Sequence, residues 1–163
     1  MARAISILVL TAAAALGGCA SMQNAPATAA ATIAQKAELS TFNTLAQQAG
    51  LSDVLNGSTP VTVFAPTNEA FAALPAATLD KLAKDPAQLK ALLSYHIVSG
   101  NVLSSSIQEN TTLPTIGGTK LGVSKAGDFV TVDDAMVTQA DIKTANGVIH
   151  QIDRVLTPPA AKK

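Results

Sequence analysis

A chain of 163 residues with zero formal net charge and only 13% charged side chains has no basic stripe to neutralise phosphates, which excludes nucleic acid as a partner. Aromatic residues make up 3% and Trp is absent, so the stacking platforms that hold single strands are missing as well. The length suits one domain with appendages, and no run reaches the ~18 apolar residues that cross a bilayer.

The chain begins with the basic start Met1-Ala2-Arg3, followed by the apolar run "AISILVLTAAAALGG" from Ala4 to Gly18. A positive end, an apolar segment and small residues at the end form a secretory signal pattern. The single cysteine, Cys19, comes directly after Leu16-Gly17-Gly18, an arrangement that resembles the bacterial lipobox. Residues 1–18 are therefore read as a lipoprotein signal peptide, with lipid on Cys19 as the membrane attachment. Ala20 stands where an aspartate would retain a lipoprotein at the inner membrane, so delivery to the outer membrane is expected, on its periplasmic face or at the cell surface. An acylated Cys19 leaves no thiol for a disulfide, and the exported domain must rest on its core alone. Residues 19–34, rich in Ala and Thr, read as the lipidated end and a flexible tether. A coil of ~15 residues reaches roughly 20 Å.

Residues 35–159 form the expected domain, and 160–163 a short polar tail. "STFNTLAQQAG" predicts a helix capped by Ser40, with Phe42, Leu45 and Ala49 on one face and Gly50 as its stop. A turn at Asn56-Gly57 precedes a β-rich run, Val61 to Phe64, closed by Pro66. In "PTNEAFAAL", Thr67 or Asn68 is the expected cap of a new helix, and Leu79 and Leu82 mark a further helical stretch. "DPAQLKALLSYHIVSG" carries full helix punctuation: Asp85 caps, Pro86 opens, Leu89, Leu92 and Leu93 form the buried stripe, and the helix ends near His96. Beyond it the period changes, and short β-branched runs alternate with Gly117-Gly118, Gly127-Asp128 and Asn146-Gly147, which are hairpin signals. Helices first and an antiparallel meander after them make an α+β fold.

Three segments now stand in order: "TVFAPTNEAFAAL" (Thr62–Leu74), "LLSYHIVSG" (Leu92–Gly100) and "NGVIHQIDRVLTPP" (Asn146–Pro159). In sequence and spacing they resemble the signature segments of the fasciclin domain family, here as a bacterial single-domain lipoprotein member. The resemblance implies a β-wedge of two small sheets with an N-terminal helical layer, an extracytoplasmic adhesion or interaction role, and no established catalytic chemistry or cofactor. It assigns Tyr95 and His96 to the family's Tyr-His pair, a buried anchor between helix and sheet. Thr67, Asn68 and His150 are further motif positions expected to be structural. Gln139–Lys143 aligns loosely with an adhesive segment of some animal members, but Ala140 and Lys143 depart from that pattern, so Asp141 and Ile142 are read as part of a strand end.

The residues themselves weigh against chemistry. Ser94, Ser104, Ser105 and Ser106 lie near His96 in sequence, but no Gly-x-Ser-x-Gly elbow is present. His96 and His150 lie far apart and Asp133-Asp134 reads as a solvated acidic turn, so no metal is expected. His96, at a helix C-terminus, sits where the helix dipole would favour a protonated ring. The expectation is a non-enzymatic module that contacts an envelope protein, a glycan or a neighbouring surface, with its oligomeric state open. The alternative is a carrier or sensor of a small apolar ligand.

Overall fold

The structure is a computed structural model, and it describes residues 26–158. Cys19, the signal segment and the tail at 160–163 lie outside the described residues. Among the described residues six α-helices precede most of the sheet: α1 (Ala29–Gln35), α2 (Ser40–Gln48), α3 (Ser52–Asn56), α4 (Asn68–Ala72), α5 (Ala76–Lys84) and α6 (Pro86–Tyr95). Strand β1 (Val61–Pro66) lies between α3 and α4, and β2 (Ile97–Ser99) follows α6. The meander then runs β3 (Thr111–Pro114), β4 (Lys120–Ala126), β5 (Phe129–Val132), β6 (Ala135–Thr144) and β7 (Gly147–Ile152).

The helix punctuation of α6 works as its sequence predicts. Asp85 accepts hydrogen bonds from the Ala87 and Gln88 amides, Pro86 opens the helix, and His96 is the C-cap. Gly50, with φ 69°, ends α2 in the left-handed conformation that glycine tolerates best. The start of α2 departs from expectation. Ser40 is the first helical residue, behind a 3-10 turn at Ala37–Leu39, and the N-cap Leu39 has no side chain to offer the free amides.

The expected tether is partly a helix. Thr28 caps α1 by accepting from the Ala31 amide, and Ala29 and Ile33, one turn apart on the same face, are fully buried in the helical core. The Ala29 amide donates to the Asn146 side chain at 2.8 Å, and the Ala145 amide donates to the Ala27 carbonyl at 2.8 Å. Residues 27–34 thus belong to the folded body and not to a spacer, because Ala29 and Ile33 find a core to enter and Asn146 supplies the missing acceptor.

The strand order is β2-β1-β7-β6-β5-β4-β3. All neighbours are antiparallel except β1 and β7, which pair in parallel from Val61↔Gly147 to Pro66↔Ile152. The two expected sheets are two lobes of one sheet. Long, irregular β6 pairs with β7 on one side and, through Ala135 and Met136 only, with β5 on the other. The sheet folds back on itself, so that its outermost strands meet: Val98 on β2 bridges Thr115, and the Ile116 amide donates to the Ile97 carbonyl at 2.9 Å.

This folding creates two cores. One lies between the helices and the β2-β1-β7-β6 lobe and holds Phe42, Leu89, Leu93, Val61, Val63, Ala65 and Ile149. The other lies inside the folded sheet and holds Phe64, Tyr95, Leu121, Val123, Val132 and Ile152. Strand β1 is buried along its whole length because alternate side chains enter opposite cores, Val61, Val63 and Ala65 to the helical side and Phe64 to the other. The same two-sided burial holds for β7, whose residues from Val148 to Ile152 are all buried.

Candidate functional site

Tyr95 and His96 close α6 at the junction of the two cores, and successive positions on a helix send their side chains in different directions. The His96 ring lies beside Phe42 of the helical core, with ring centroids 6.4 Å apart. Its Nδ1 is 2.8 Å from the Leu92 carbonyl oxygen, and the Leu156 amide donates to its Nε2 at 2.9 Å. A carbonyl can only accept and an amide N–H can only donate, so these partners fix the neutral tautomer with its proton on Nδ1. Burial pushes the ring down from its ordinary 6.5 to about 4, against the opposing pull of the Leu92 carbonyl. The protonated His96 that the helix dipole would favour is therefore overruled, because complete burial outweighs a partial charge at a helix end.

Tyr95 points into the sheet core and emerges at its rim. Its hydroxyl donates to Asp133 Oδ2 at 2.6 Å. Burial first, and then the Asp133 carboxylate, raise the phenol well above its ordinary range. Asp133 adopts φ 49°, its amide donates to the Gly122 carbonyl at 2.8 Å, and its Oδ1 accepts from the Gly122 amide at 3.2 Å. Asp133-Asp134 is the solvated acidic turn expected, both residues being exposed, and through Asp133 it also clasps the β5–β6 turn to β4 and to the end of α6. Around it opens a groove of about 710 Å³ lined by Tyr95, Lys120, Asp133, Asp134, Arg154 and Leu156, among others. Lys120, Asp134 and Arg154 are exposed there.

His150 lies on β7, fully buried, stacked on Phe64 with centroids 5.3 Å apart. Its Nε2 meets the Val102 carbonyl at 2.9 Å, and its Nδ1 accepts from the Asp141 amide at 3.3 Å. By the same donor logic His150 is neutral with its proton on Nε2, the opposite tautomer to His96. Burial lowers it from its ordinary value, opposed by the Val102 carbonyl and then by Asp141. Asp141 is not at a strand end. It sits inside β6 at φ 56°, where the register against β7 slips.

The Asp141 carboxylate accepts from the Ser104 amide at 2.8 Å and from the Ser104 hydroxyl. Ser, Asp and His thus come together, but in a connectivity unlike that of a nucleophilic triad. The serine hydroxyl is bound to the carboxylate, and both imidazole nitrogens are engaged by the backbone.

Thr67 and Asn68 divide their labour. Thr67 caps α4 by accepting from the Ala70 amide. Asn68 instead reaches across to α2: its Oδ1 accepts from the Thr41 amide at 3.0 Å and its Nδ2 donates to the Ala37 carbonyl at 2.8 Å. It is the cap that Leu39 cannot be. The turn residue Asn146 has a larger role than its hairpin position suggests. Its buried side chain donates to the Leu55 carbonyl at 2.9 Å and the Gly57 carbonyl at 2.7 Å, while its Oδ1 accepts from Ala29. Among the described residues, no cluster of three or more His, Cys, Asp or Glu side chains suits a metal ion.

The fasciclin domain family model matches residues 37–158. The chain belongs to the fasciclin family. Transforming growth factor-beta-induced protein ig-h3 of Sus scrofa is 44% identical over 116 residues, 71% of this chain and 17% of that protein. Protein sll1483 of Synechocystis is 40% identical over 124 residues, 73% of this chain and 68% of that protein. Cell surface glycolipoprotein MPB83 of Mycobacterium bovis is 44% identical over 110 residues, 68% of this chain and 49% of that protein. This fasciclin chain therefore spans about a sixth of the animal relative and about half of the mycobacterial one.

Among solved structures, the FAS1 domain pair from the insect cell adhesion molecule fasciclin I superposes with a TM-score of 0.60 at 25% identity, over 75% of this chain and 46% of that one. The family assignment drawn from the three motifs and the α+β fold drawn from the helix-then-meander pattern are both borne out.

Proposed function

We propose that the chain is an envelope-anchored interaction module of the fasciclin family, held by lipid on Cys19 and presenting its domain to a protein or glycan of the cell envelope. One observation carries the reading. The side chains that catalysis would recruit are spent on the fold itself: His96 and His150 each hold two backbone groups, and Ser104 is bound to Asp141. In this reading Tyr95, His96, His150, Thr67 and Asn68 build the domain, catalysis is absent, and specificity belongs to exposed side chains over a rigid scaffold. The cell-surface and cell-adhesion names of two relatives support the same direction. Ala20 after the cysteine favours the outer membrane as the destination.

The groove beside Tyr95 is the contact surface we favour, because Lys120, Asp134 and Arg154 offer both signs of charge around buried Leu156. Mixed charge of this kind selects a partner more than it adds affinity. The test is photo-crosslinking in intact cells from a reactive residue placed at Lys120 or Arg154 of the full-length chain. A reproducible envelope partner captured from the groove, and lost on charge reversal of Arg154, is the expected result. Capture from distant positions but never from the groove would overturn the assignment. Mass spectrometry of the mature N-terminus decides the anchor, and an unmodified Cys19 would remove it.

A further inference from the structure

The cluster around His150 has a feature that a plain structural role does not require. Asp141 touches the imidazole through its backbone and holds Ser104 through its side chain, so a single residue connects the histidine to the Ser104–Ser106 turn. We propose that Asp141 is a proton-operated latch: with His150 neutral its carboxylate holds the Ser104 turn, and protonation of His150 draws that carboxylate onto the imidazolium and releases the turn.

The argument starts from donor and acceptor accounting. Neutral His150 accepts the Asp141 N–H at Nδ1. A proton taken up from solvent at Nδ1 sets N–H against N–H, and that contact turns repulsive. The opposite nitrogen already donates to the Val102 carbonyl and keeps its bond, which a positive ring strengthens. The new Nδ1–H therefore needs an acceptor, and the carboxylate of Asp141 itself is the charged acceptor nearest to it in the chain. Rotation about χ1 of Asp141 carries it towards the ring. The price of that rotation is the pair of bonds to Ser104.

The charged groups around His150 leave the exchange to these two residues. From β6 it faces Asp141, with Lys143 two residues further along acting on the Asp141 carboxylate. From β1 it faces Phe64, which carries no charge. From the 101–106 segment it faces the Val102 carbonyl, and Lys125 on β4 reaches only as far as the Ser104 carbonyl, at 3.0 Å.

The released part is bounded. Thr62 on β1 accepts from the Val102 amide at 2.8 Å and donates to the Gly100 carbonyl at 2.8 Å, so the start of the segment stays in place. Its other end is set by Ile107, buried in the sheet core. What opens is the Ser104–Ser106 turn over the irregular stretch of β6. An exported protein meets external pH directly, and a histidine is the side chain that answers in the mildly acid range.

The test follows two signals in the isotope-labelled full-length chain, between about pH 7.5 and about pH 4, because burial lowers His150 below the ordinary histidine range. The first is the His150 ring and the second is the Ser104 amide. A shared midpoint is expected, with Ser104 amide exchange rising about tenfold or more while the Val63 and Phe64 amides stay protected, as local opening requires. In Asp141→Asn, which lacks the charge that attracts the imidazolium, the two signals should part.

Titration of His150 with no response at Ser104 overturns the latch. Simultaneous loss of protection in β1 overturns it too, since the event is then global unfolding. Should Asp141→Asn fail to fold, the coincidence of the two wild-type midpoints still decides.

Discussion

The helix-covered half and the folded-over half of the sheet are tied together by different chemistry. On the helical side three neutral side chains make long-range polar bridges: buried Asn146 joins α1, α3 and the β6–β7 turn, half-buried Asn68 caps α2, and buried His96 joins α6 to the segment after β7. On the meander side the bridges are buried His150 and three carboxylates near the surface. Asp133 clasps Gly122 and Tyr95, Asp141 holds Ser104, and Asp153 accepts from the Met136 amide at 2.7 Å. Neutral groups suit the interior because burying them costs little once every donor and acceptor is paired, whereas an ionised carboxylate keeps access to water. The contrast predicts that substitutions on the helical side cost more, and that the meander side gives way in smaller steps.

The largest effect is expected at the seam between β1 and β7. A Cβ on Gly147 would lie 1.7 Å from the Val61 carbonyl oxygen, with no flexible side chain to move aside. Gly147→Ala must break the parallel pairing, and a loss of about 4 kcal/mol or more is expected, a large part of the roughly 5–15 kcal/mol that ordinary domains hold. Circular dichroism of the purified variant checks this. A cooperative melt near that of the wild type would show that the seam can shift.

Next comes Asn146→Ala, which leaves the Leu55 and Gly57 carbonyls and the Ala29 amide without partners in a buried site. An unsatisfied buried group costs about 1–3 kcal/mol, and water reaches part of this site, so about 3 kcal/mol in total is expected by denaturant titration. Deletion of residues 1–35, which removes α1 whole, sharpens the comparison. If α1 docks as described, the deletion also destabilises the domain; if the segment acts only as a spacer, the denaturation midpoint stays put.

Acid acts on the same half. The folded-state value of His96 is about 4 and its ordinary value is 6.5, so the unfolded chain takes up the proton first as pH falls. The contribution is fully present above pH 6.5 and is lost progressively down to about pH 4, with a total of about 3 kcal/mol. His150, also lowered, acts in the same direction. Stability measured across this range should fall with decreasing pH, and His96→Gln should flatten the slope while lowering stability at neutral pH. An unchanged slope would mean that His96 is not the proton acceptor.

The reach of sequence reasoning follows the reach of the interactions. Asp85, Pro86 and the Leu89, Leu92, Leu93 stripe announce α6 because caps and a 3.6-residue period are local. The turn at Gly127-Asp128 and the alternation of β5 are equally local. The docking of α1 had no such signal, since an Ala-rich stretch reads alike as spacer and as helix, and its acceptor lies 117 residues away. The Asn68 cap joins residues 27 apart, and the amide that keeps His96 neutral is 60 residues downstream. At the candidate site, Tyr95, His96 and His150 are marked by motif, but Asp133 is not, and the loose motif around Asp141 gives no sign of its role. Each of these carboxylates takes its meaning from a partner 37 or 38 residues upstream in the chain, Ser104 for Asp141 and Tyr95 for Asp133.

The smallest expected effect tests the meander half at its link to α6. Tyr95→Phe keeps the ring in the sheet core and removes only the hydroxyl that donates to Asp133. Asp133 is exposed and keeps its bond to the Gly122 amide, so water replaces the lost donor and nothing is left stranded. A hydrogen bond to a charged acceptor contributes about 1.5–3 kcal/mol, and solvent access brings the expected loss to the low end, about 1–2 kcal/mol. The variant should melt cooperatively and a few degrees lower, and Asp133→Asn, which still accepts from the hydroxyl, should lose less. A loss as large as that of Asn146→Ala would place a stranded group on the meander side and erase the distinction between the halves. No loss at all would make the clasp an ornament of the turn, with the Asp133 and Gly122 backbones sufficient to hold it.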